Sequence, residues 1–154
     1  TELKGTNYVI ATENRESKLS IRSRNLLFIN TADGDMHKVE LPTRSSIREI
    51  RHIKNDTVGV NKVIVVAQMV NLDGNKGIDW NDPMQVIVFS PDGKQQTPIT
   101  DDRLFVSDWI FNSQTGAITI VGHYDTNNNG KYDRFDKNEI MVYDLKQMKL
   151  LNIK

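Results

Sequence analysis

Two stretches of the sequence carry oxygen-bearing side chains at regular spacing, and binding of a hard cation is the chemistry that such groups perform. The first to consider is residues 125–136, DTNNNGKYDRFD. Calcium takes six to eight oxygen ligands, and a twelve-residue loop can supply them from positions 1, 3, 5, 7, 9 and 12 around a turn at position 6. Gly130 stands at that turn, where a left-handed backbone costs glycine least. The candidate ligands are the side chains of Asp125, Asn127, Asn129, Asp133 and Asp136 and the backbone carbonyl of Lys131.

Residues 71–82, NLDGNKGIDWND, repeat the pattern with one departure. Lys76 replaces the turn glycine and Gly77 follows it, so we expect a strained loop or an altered ligand order. The alternative for both loops is that Asn and Asp merely favour turns, without any ion. The candidate ligands here are the side chains of Asn71, Asp73, Asn75, Asp79 and Asp82 and the carbonyl of Gly77.

Each loop holds three carboxylates, so a divalent cation would leave one negative charge. Without the cation the carboxylates repel one another and should loosen the loop. We therefore expect calcium to act chiefly as a structural staple. Extracellular calcium modules bind at roughly 10⁻⁴–10⁻³ M, so we expect a periplasmic or extracellular location.

The two loops belong to a longer internal repeat with an offset of 54 residues, in which residues 71–100 align with residues 125–154 without a gap. Upstream, residues 63–67 align with residues 117–121. These apolar segments are short and β-branched, which predicts strands on both sides of each loop. Two further strands per copy are expected, one before this pair and one after it, the latter reached in the first copy through a turn at residues 90–93.

A diverged third copy is expected at the front of the chain, with strands near residues 8–11, 26–29 and 39–41. A charged hairpin over residues 13–24 takes the place of its acidic loop. We expect this hairpin to face solvent, with an anion site as the alternative. No long segment has helical periodicity, so the sequence predicts an all-β class.

Residues 88–94, VFSPDGK, followed by residues 98–100, PIT, resemble blades of TolB-type and related secreted β-propellers, as do residues 124–127 and 140–145. The acidic loops are similar to EF-hand loops and, with Asp at the last position, to dockerin-type and propeller-type calcium loops. The resemblance implies one β-repeat domain over residues 1–154. Its three four-stranded blades would lie near residues 1–45, 46–100 and 101–154.

Three blades are fewer than the four to eight of a closed propeller ring. We therefore expect a partial propeller within a longer chain or half of a dimeric six-bladed ring, with an open or sandwich-like stack as the alternative. The chain begins at Thr1 rather than Met, as expected if a leader or an upstream region had been removed. The expected partners are a second copy, the rest of a longer chain, or a protein or glycan ligand.

Several functions are disfavoured by composition. Twenty basic residues balance twenty acidic ones, so no global field attracts nucleic acid, and there is no cysteine for a disulfide or thiolate site. No apolar run approaches the roughly 20 residues that cross a bilayer. His37, His52 and His123 are dispersed, and no nucleophile or phosphate-binding motif occurs.

A calcium-stabilised binding or assembly module of an extracytoplasmic protein is therefore the leading hypothesis, with no catalysis evident. The alternative is a metal-dependent hydrolase or lyase with a divalent ion at a propeller mouth. We expect Trp109 and Phe111 to pack between sheets. Trp80 lies inside an acidic loop, where it would cover the loop or be exposed, and packing is expected in preference to stacking on a ligand. Tyr132 and Phe135 are expected to anchor their loop to the sheet.

Overall fold

The structure is a computed structural model that describes residues 1–12, 16–17, 20–21 and 24–154, without the side chains of residues 16–21. All regular elements of the described chain are strands, which confirms the all-β class. Among these residues no helix is long and apolar enough to cross a membrane. The strands are β1 (Tyr8–Thr12), β2 (Glu16–Ser17), β3 (Ser20–Ile21), β4 (Asn25–Asn30), β5 (Met36–Glu40), β6 (Ser46–Asn55), β7 (Val60–Gln68), β8 (Met84–Phe89), β9 (Gln96–Pro98), β10 (Leu104–Asn112), β11 (Ala117–Tyr124), β12 (Lys137–Asp144) and β13 (Lys149–Ile153).

The strands form three antiparallel sheets in chain order, apart from the short β2–β3 hairpin. The first sheet has the order β1-β4-β5, the middle sheet β6-β7-β8-β9 and the third sheet β10-β11-β12-β13. In each sheet successive strands are neighbours, as short connections favour. None of the described sheets closes on itself.

The first sheet departs from the four strands expected in each unit, so that prediction is wrong for this sheet. The absent strand is the one that would precede β1 and pair with it. Among the residues described before Tyr8, Glu2 makes a single isolated bridge to Val9. The predicted charged hairpin falls in the region of β2 and β3, and most of its residues lie outside the described part of the chain.

The middle sheet lies between the other two and buries both of its faces. Alternate residues of β7 face opposite sides, so Ile64 and Val66 join one core while Val63 and Val65 join the other. The first of these cores also contains residues of β10, β11 and β12, and the second contains residues of β1, β4 and β5. The three sheets are therefore stacked face to face, with two hydrophobic cores.

This stacking explains a difference between the two repeat copies. Residues 63–67, VIVVA, are apolar without interruption because both faces of β7 are covered. The aligned residues 117–121 include Thr119, which is only partly buried, because β11 packs against another sheet on one face only. The remaining face of the third sheet leaves Ile110 and Ile140 exposed.

Trp109 fixes the third sheet to the middle sheet. It is 6% exposed, its indole Nε1 donates to Glu49 Oε2 at 3.1 Å, and the guanidinium of Arg51 lies 4.4 Å from the ring centroid. A buried indole needs a partner for its N–H, and β6 supplies one. Phe111 packs against the same core. The predicted packing of both aromatic residues between sheets is confirmed.

Candidate metal centre

Both acidic loops connect the second and third strands of a four-stranded sheet. Residues 71–82 lie between β7 and β8, and residues 125–136 lie between β11 and β12. The last ladder pairs before the loops are Gln68 with Met84 and Tyr124 with Lys137. The paired strands therefore hold the two ends of each loop close together, as a compact ion-binding loop requires.

Asp125, at position 1 of the second loop, is 1% exposed. Its Oδ1 accepts the N–H of Asn129 at 3.2 Å and its Oδ2 accepts the N–H of Gly130 at 2.9 Å. Its backbone carbonyl accepts a hydrogen bond from Arg103 Nη2. This buried carboxylate therefore folds the loop back on its own beginning, and Arg103 fixes that beginning to the start of β10.

The side chains at positions 3, 5 and 9 of this loop converge. Asn127 Nδ2 and Asn129 Nδ2 donate to Asp133 Oδ2 at 3.1 and 2.6 Å. The N–H of Phe135 donates to Asp133 Oδ1 at 2.7 Å. This backbone hydrogen bond, followed by those from the two amides, lowers the pKa of Asp133 below its usual value. A charged carboxylate thus lies at the point where the amides meet.

Asp136, at position 12, has one oxygen engaged and one free of partners. Its Oδ2 accepts the N–H of Asp133 at 2.9 Å, whereas its Oδ1 is buried and has no hydrogen-bond partner. Lys131, whose carbonyl is the candidate ligand at position 7, donates its N–H to Asn129 Oδ1 at 2.8 Å. A buried oxygen without a donor is costly, so the Asp136 oxygen is well suited to a cation.

The first loop contains a similar network. Asn75 Nδ2 donates to Asp79 Oδ2 at 2.9 Å and to Asp73 Oδ2 at 3.0 Å. Gly77, at position 7, donates its N–H to Asn75 Oδ1 at 3.0 Å. The side chains at positions 3, 5 and 9 therefore converge here as well.

The ends of the first loop are arranged in the opposite way. Asp82, at position 12, is 3% exposed, and its two oxygens accept the N–H groups of Leu72 and Asp79, both at 2.8 Å. Asn71, at position 1, has a buried Oδ1 with no hydrogen-bond partner. Each loop thus has one buried, fully paired carboxylate at one end and one unpartnered oxygen at the other.

The expected left-handed glycine is found in the second loop, at Gly130, but the first loop differs. In the first loop Gly74 has a φ of 69°, and Gly77 is not among the left-handed residues. The left-handed glycine of the first loop therefore stands at position 4 and not at position 6 or 7. Gly77 instead makes room for a neighbour, since a Cβ there would lie 2.8 Å from Nη1 of Arg44, which donates to the Lys76 carbonyl.

The second loop has two left-handed residues, Asn128 and Gly130, with φ values of 63° and 72°. Gly130 also lies against the first loop. A Cβ on Gly130 would be 2.5 Å from the carbonyl oxygen of Leu72 and 2.9 Å from Cα of Asp73. The two loops are therefore in backbone contact.

Within the described part of the chain, no group of three or more Asp, Glu or His side chains is placed to hold a metal ion. The converging side chains are a mixture of carboxylates and amides, and calcium accepts both kinds of oxygen. Glu139, a further carboxylate near the second loop, lies in β12 opposite Gly122 and so does not turn back toward the loop. The complete calcium ligand sets stay a prediction.

Sequence reasoning did not find the residues that hold the first loop on the sheet. Gln68 Nε2 donates to the carbonyls of Asp79 and Asp82 at 2.7 and 2.9 Å. Its Oε1 accepts from Nε of Arg48 at 2.9 Å. These side chains act on backbone carbonyls, so no spacing of charged residues in the sequence signals them.

The loop aromatics also differ from expectation. Trp80 is 77% exposed, so its predicted packing is wrong, and Phe135 is 66% exposed with Arg134 stacked on its ring. Tyr132 does contact the third sheet, with its ring centroid 4.6 Å from that of His123 and 6.1 Å from that of Phe105. Trp80, Tyr132, His123 and Phe105 line a cleft of about 710 Å³ between the two loops.

The three histidines lie on different sheets, His37 in β5, His52 in β6 and His123 in β11. His52 is hydrogen-bonded through Nε2 to Asn61 Oδ1 at 2.8 Å.

No protein-family model matches the chain, and no curated protein sequence matches it.

Proposed function

We propose that this chain is a calcium-binding, calcium-stabilised module with propeller-like blades, and that it serves binding or assembly in an extracytoplasmic protein. The observation that carries the proposal is the pair of converging loops, each with an unpartnered buried oxygen at a ligand position. These oxygens belong to Asn71 at position 1 and Asp136 at position 12. A cation at each loop would satisfy an atom that the protein itself leaves without a donor.

In the absence of an ion, the N–H groups of the Asn75 and Asn129 side chains donate hydrogen bonds to the carboxylates. In each loop the amide hydrogens point to an Asp oxygen. Calcium would replace those hydrogens, and the amide would present its oxygen instead. Because an amide oxygen has two lone pairs, it can bind the ion and still accept the backbone N–H that it accepts now.

The ion would stabilise the fold because the ligand set is complete only in the folded loop. Each loop holds three carboxylates, and both loops join neighbouring strands of a sheet. Binding at each site would therefore fasten β7 to β8 and β11 to β12. Calcium loops of extracellular modules have dissociation constants of roughly 10⁻⁴–10⁻³ M. Sites of that affinity fit a location outside the cytoplasm.

The assembly part of the proposal rests on the two outer faces of the stack. Ile110 and Ile140 are exposed on the third sheet, and Met36 is exposed on the first. Inside the chain, both faces of the middle sheet are covered by the neighbouring sheets. A further blade of a longer chain, or a second copy in a six-bladed ring, would cover the outer faces in the same way.

Calorimetric titration of calcium into chelator-treated protein tests the ion-binding part. We expect saturable binding in the 10⁻⁴–10⁻³ M range, stronger for calcium than for magnesium. Asp136→Ala should abolish binding at the second loop. Asp56→Ala, which removes an exposed turn carboxylate between β6 and β7, is the matched control and should bind as the unmodified protein does. Equal heats for both variants would contradict the proposal.

Sedimentation velocity tests the assembly part. A dimer forming over the micromolar range, and lost on Ile140→Glu, is the expected result if the third sheet meets a second copy. Val58→Thr, a partly buried position elsewhere, controls for a general loss of stability. A protein that stays monomeric at all concentrations would contradict the dimeric ring. The outer sheet faces would then have to be covered by a further blade of a longer chain.

A further inference from the structure

The cleft between the two acidic loops has the composition of a ligand site rather than of a packing defect. It has a volume of about 710 Å³, within the range of small-molecule sites. Its walls include residues of both loops and of the β10 and β11 strands. Two large aromatic side chains in it, Trp80 and Tyr132, are more than half exposed, which is unusual for residues of this size.

Trp80 is exposed, but a charged side chain stacks on its ring. The guanidinium of Arg48 lies 3.8 Å from its ring centroid. Arg48 is held in turn by Gln68, which is buried and bonded to the loop carbonyls. One face of the indole is thus covered by a cation that Gln68 holds by a hydrogen bond, and the ring lines the cleft. A ring held in place in advance loses little entropy on binding.

Tyr132 presents the second ring from the other loop. Its ring stands edge-on to His123, at an interplanar angle of 77°, and its hydroxyl lies 3.3 Å from His123 Nε2. Phe105 supports the ring from β10. The cleft is therefore flanked by one exposed aromatic side chain from each loop, each held by residues of a β-strand.

The charged groups of the cleft restrict the ligand. Asp73 and Asp82 line it together with Lys131, so no strong positive field exists there. A phosphate-bearing ligand would be repelled by the carboxylates, which argues against nucleotides and single-stranded nucleic acid. Polar side chains such as Asn81 and Ser107 interrupt the aromatic surface. A purely apolar ligand would leave these groups unsatisfied.

We propose that this cleft binds a neutral oligosaccharide. A sugar ring has an apolar C–H face that packs on an aromatic ring, and a rim of hydroxyls that donate to carboxylates and accept from amides. Trp80 and Tyr132 provide the rings, while Asp73, Asn81 and Ser107 provide the polar groups. The inference names the ligand of the binding module proposed above and shares its loops, but it does not require that calcium be bound.

Screening on an array of immobilised neutral and anionic oligosaccharides, followed by fluorescence titration with the strongest neutral binder, tests this proposal. The intrinsic emission separates the two tryptophans, because Trp80 is exposed and Trp109 is buried. We expect saturable binding with a change in the Trp80 emission. The sugar titration is repeated in calcium and in chelator. Sugar binding that is the same in both shows that the sugar site does not depend on the ion, so loss of the sugar site is distinguished from failure of ion binding.

Trp80→Ala and Tyr132→Ala should each raise the dissociation constant for the oligosaccharide by roughly tenfold or more. Trp80→Phe retains a ring and should recover part of the affinity. Phe135→Ala removes an equally exposed aromatic ring that does not line the cleft, and should bind as the unmodified protein does. Melting curves of all four variants verify that they fold.

Three results would overturn the proposal. They are the absence of any neutral oligosaccharide among the array hits, binding of anionic sugars alone, and equal affinity of Trp80→Ala and the unmodified protein. Saturable binding in the chelator that is lost in both alanine variants would support it, even if the loops bound no calcium.

Discussion

The two acidic loops offer oxygen ligands at the same six positions, yet they bury opposite ends. Residues 125–136 bury the carboxylate at position 1, Asp125, and leave an unpartnered oxygen at position 12. Residues 71–82 bury the carboxylate at position 12, Asp82, and leave the unpartnered oxygen at position 1. Position within a twelve-residue pattern therefore does not decide which carboxylate is structural.

The anchors of the loops account for this reversal. Arg103 binds the carbonyl of Asp125 and so fixes the beginning of the second loop to the sheet. Gln68 binds the carbonyls of Asp79 and Asp82 and so fixes the end of the first loop. The end that is drawn to the sheet loses solvent, and its carboxylate must then be satisfied by backbone N–H groups.

The largest effect in a comparison of the loops is expected at their left-handed glycines. Gly130→Ala should cost about 3–4 kcal/mol, because it adds a left-handed alanine and a clash with the Leu72 carbonyl. Gly74→Ala has the same backbone strain and open space around its Cβ, so it should cost only about 1–2 kcal/mol. Urea denaturation of both variants measures the difference, and equal costs would mean that the loops do not press on each other.

The next effect concerns the anchor of the first loop. Gln68→Ala leaves the carbonyls of Asp79 and Asp82 without their buried donor and should cost about 2–3 kcal/mol. Gln114→Ala alters an exposed glutamine in the turn between β10 and β11 and serves as control. In the Gln68→Ala variant, amide hydrogen exchange should accelerate, relative to the unmodified protein, in residues 71–82 more than in residues 125–136. Uniform acceleration in both loops would contradict the separate anchoring of each loop.

Position 1 allows the loops to be made more alike. Asn71→Asp places a carboxylate where the second loop has Asp125 and should tighten calcium binding at the first loop by roughly tenfold. Asn81→Asp adds the same charge to the same loop at position 11, which is not a ligand position, and should have a smaller effect. If both substitutions changed the calcium affinity equally, general electrostatic attraction rather than coordination would be the cause.

The smallest effect is the acid sensitivity of the second loop. The pKa of Asp133 is lowered in the folded protein by the Phe135 N–H and then by two amide groups. Its stabilising contribution is therefore present above the unfolded pKa and is lost as the pH falls through the lower folded pKa. Asp133→Asn should flatten the acid side of the stability curve in chelator. An unchanged acid profile would show that these hydrogen bonds contribute no pH-dependent stability.

The sequence predicted the strands that flank the loops because short β-branched runs such as residues 63–67 have few alternatives to strand. It did not reveal the three-stranded first sheet, because the pairing of residues before Tyr8 depends on tertiary context rather than on local pattern. The all-β class is confirmed, whereas closure into a propeller stays a proposal.

The positions of the two loops were predictable, since Asn and Asp at alternate positions favour tight turns. The stacking of Arg48 on Trp80 was not, because it depends on a side chain that reaches across from β6. The reversal of the buried ends could not be predicted either, because Gln68 and Arg103 act on carbonyls that every residue carries. Local pattern specifies the loops, and side chains from outside them decide how they are held.

The most direct test of the account is the melting temperature of the protein in 10 mM calcium against the same protein in chelator. At the affinities expected for such loops, one occupied site should raise the melting temperature by about 3–10 °C. Ten millimolar magnesium should have a smaller effect, because it demands a tighter octahedral site. Melting temperatures within about 1 °C of each other in calcium and in chelator would contradict calcium stabilisation.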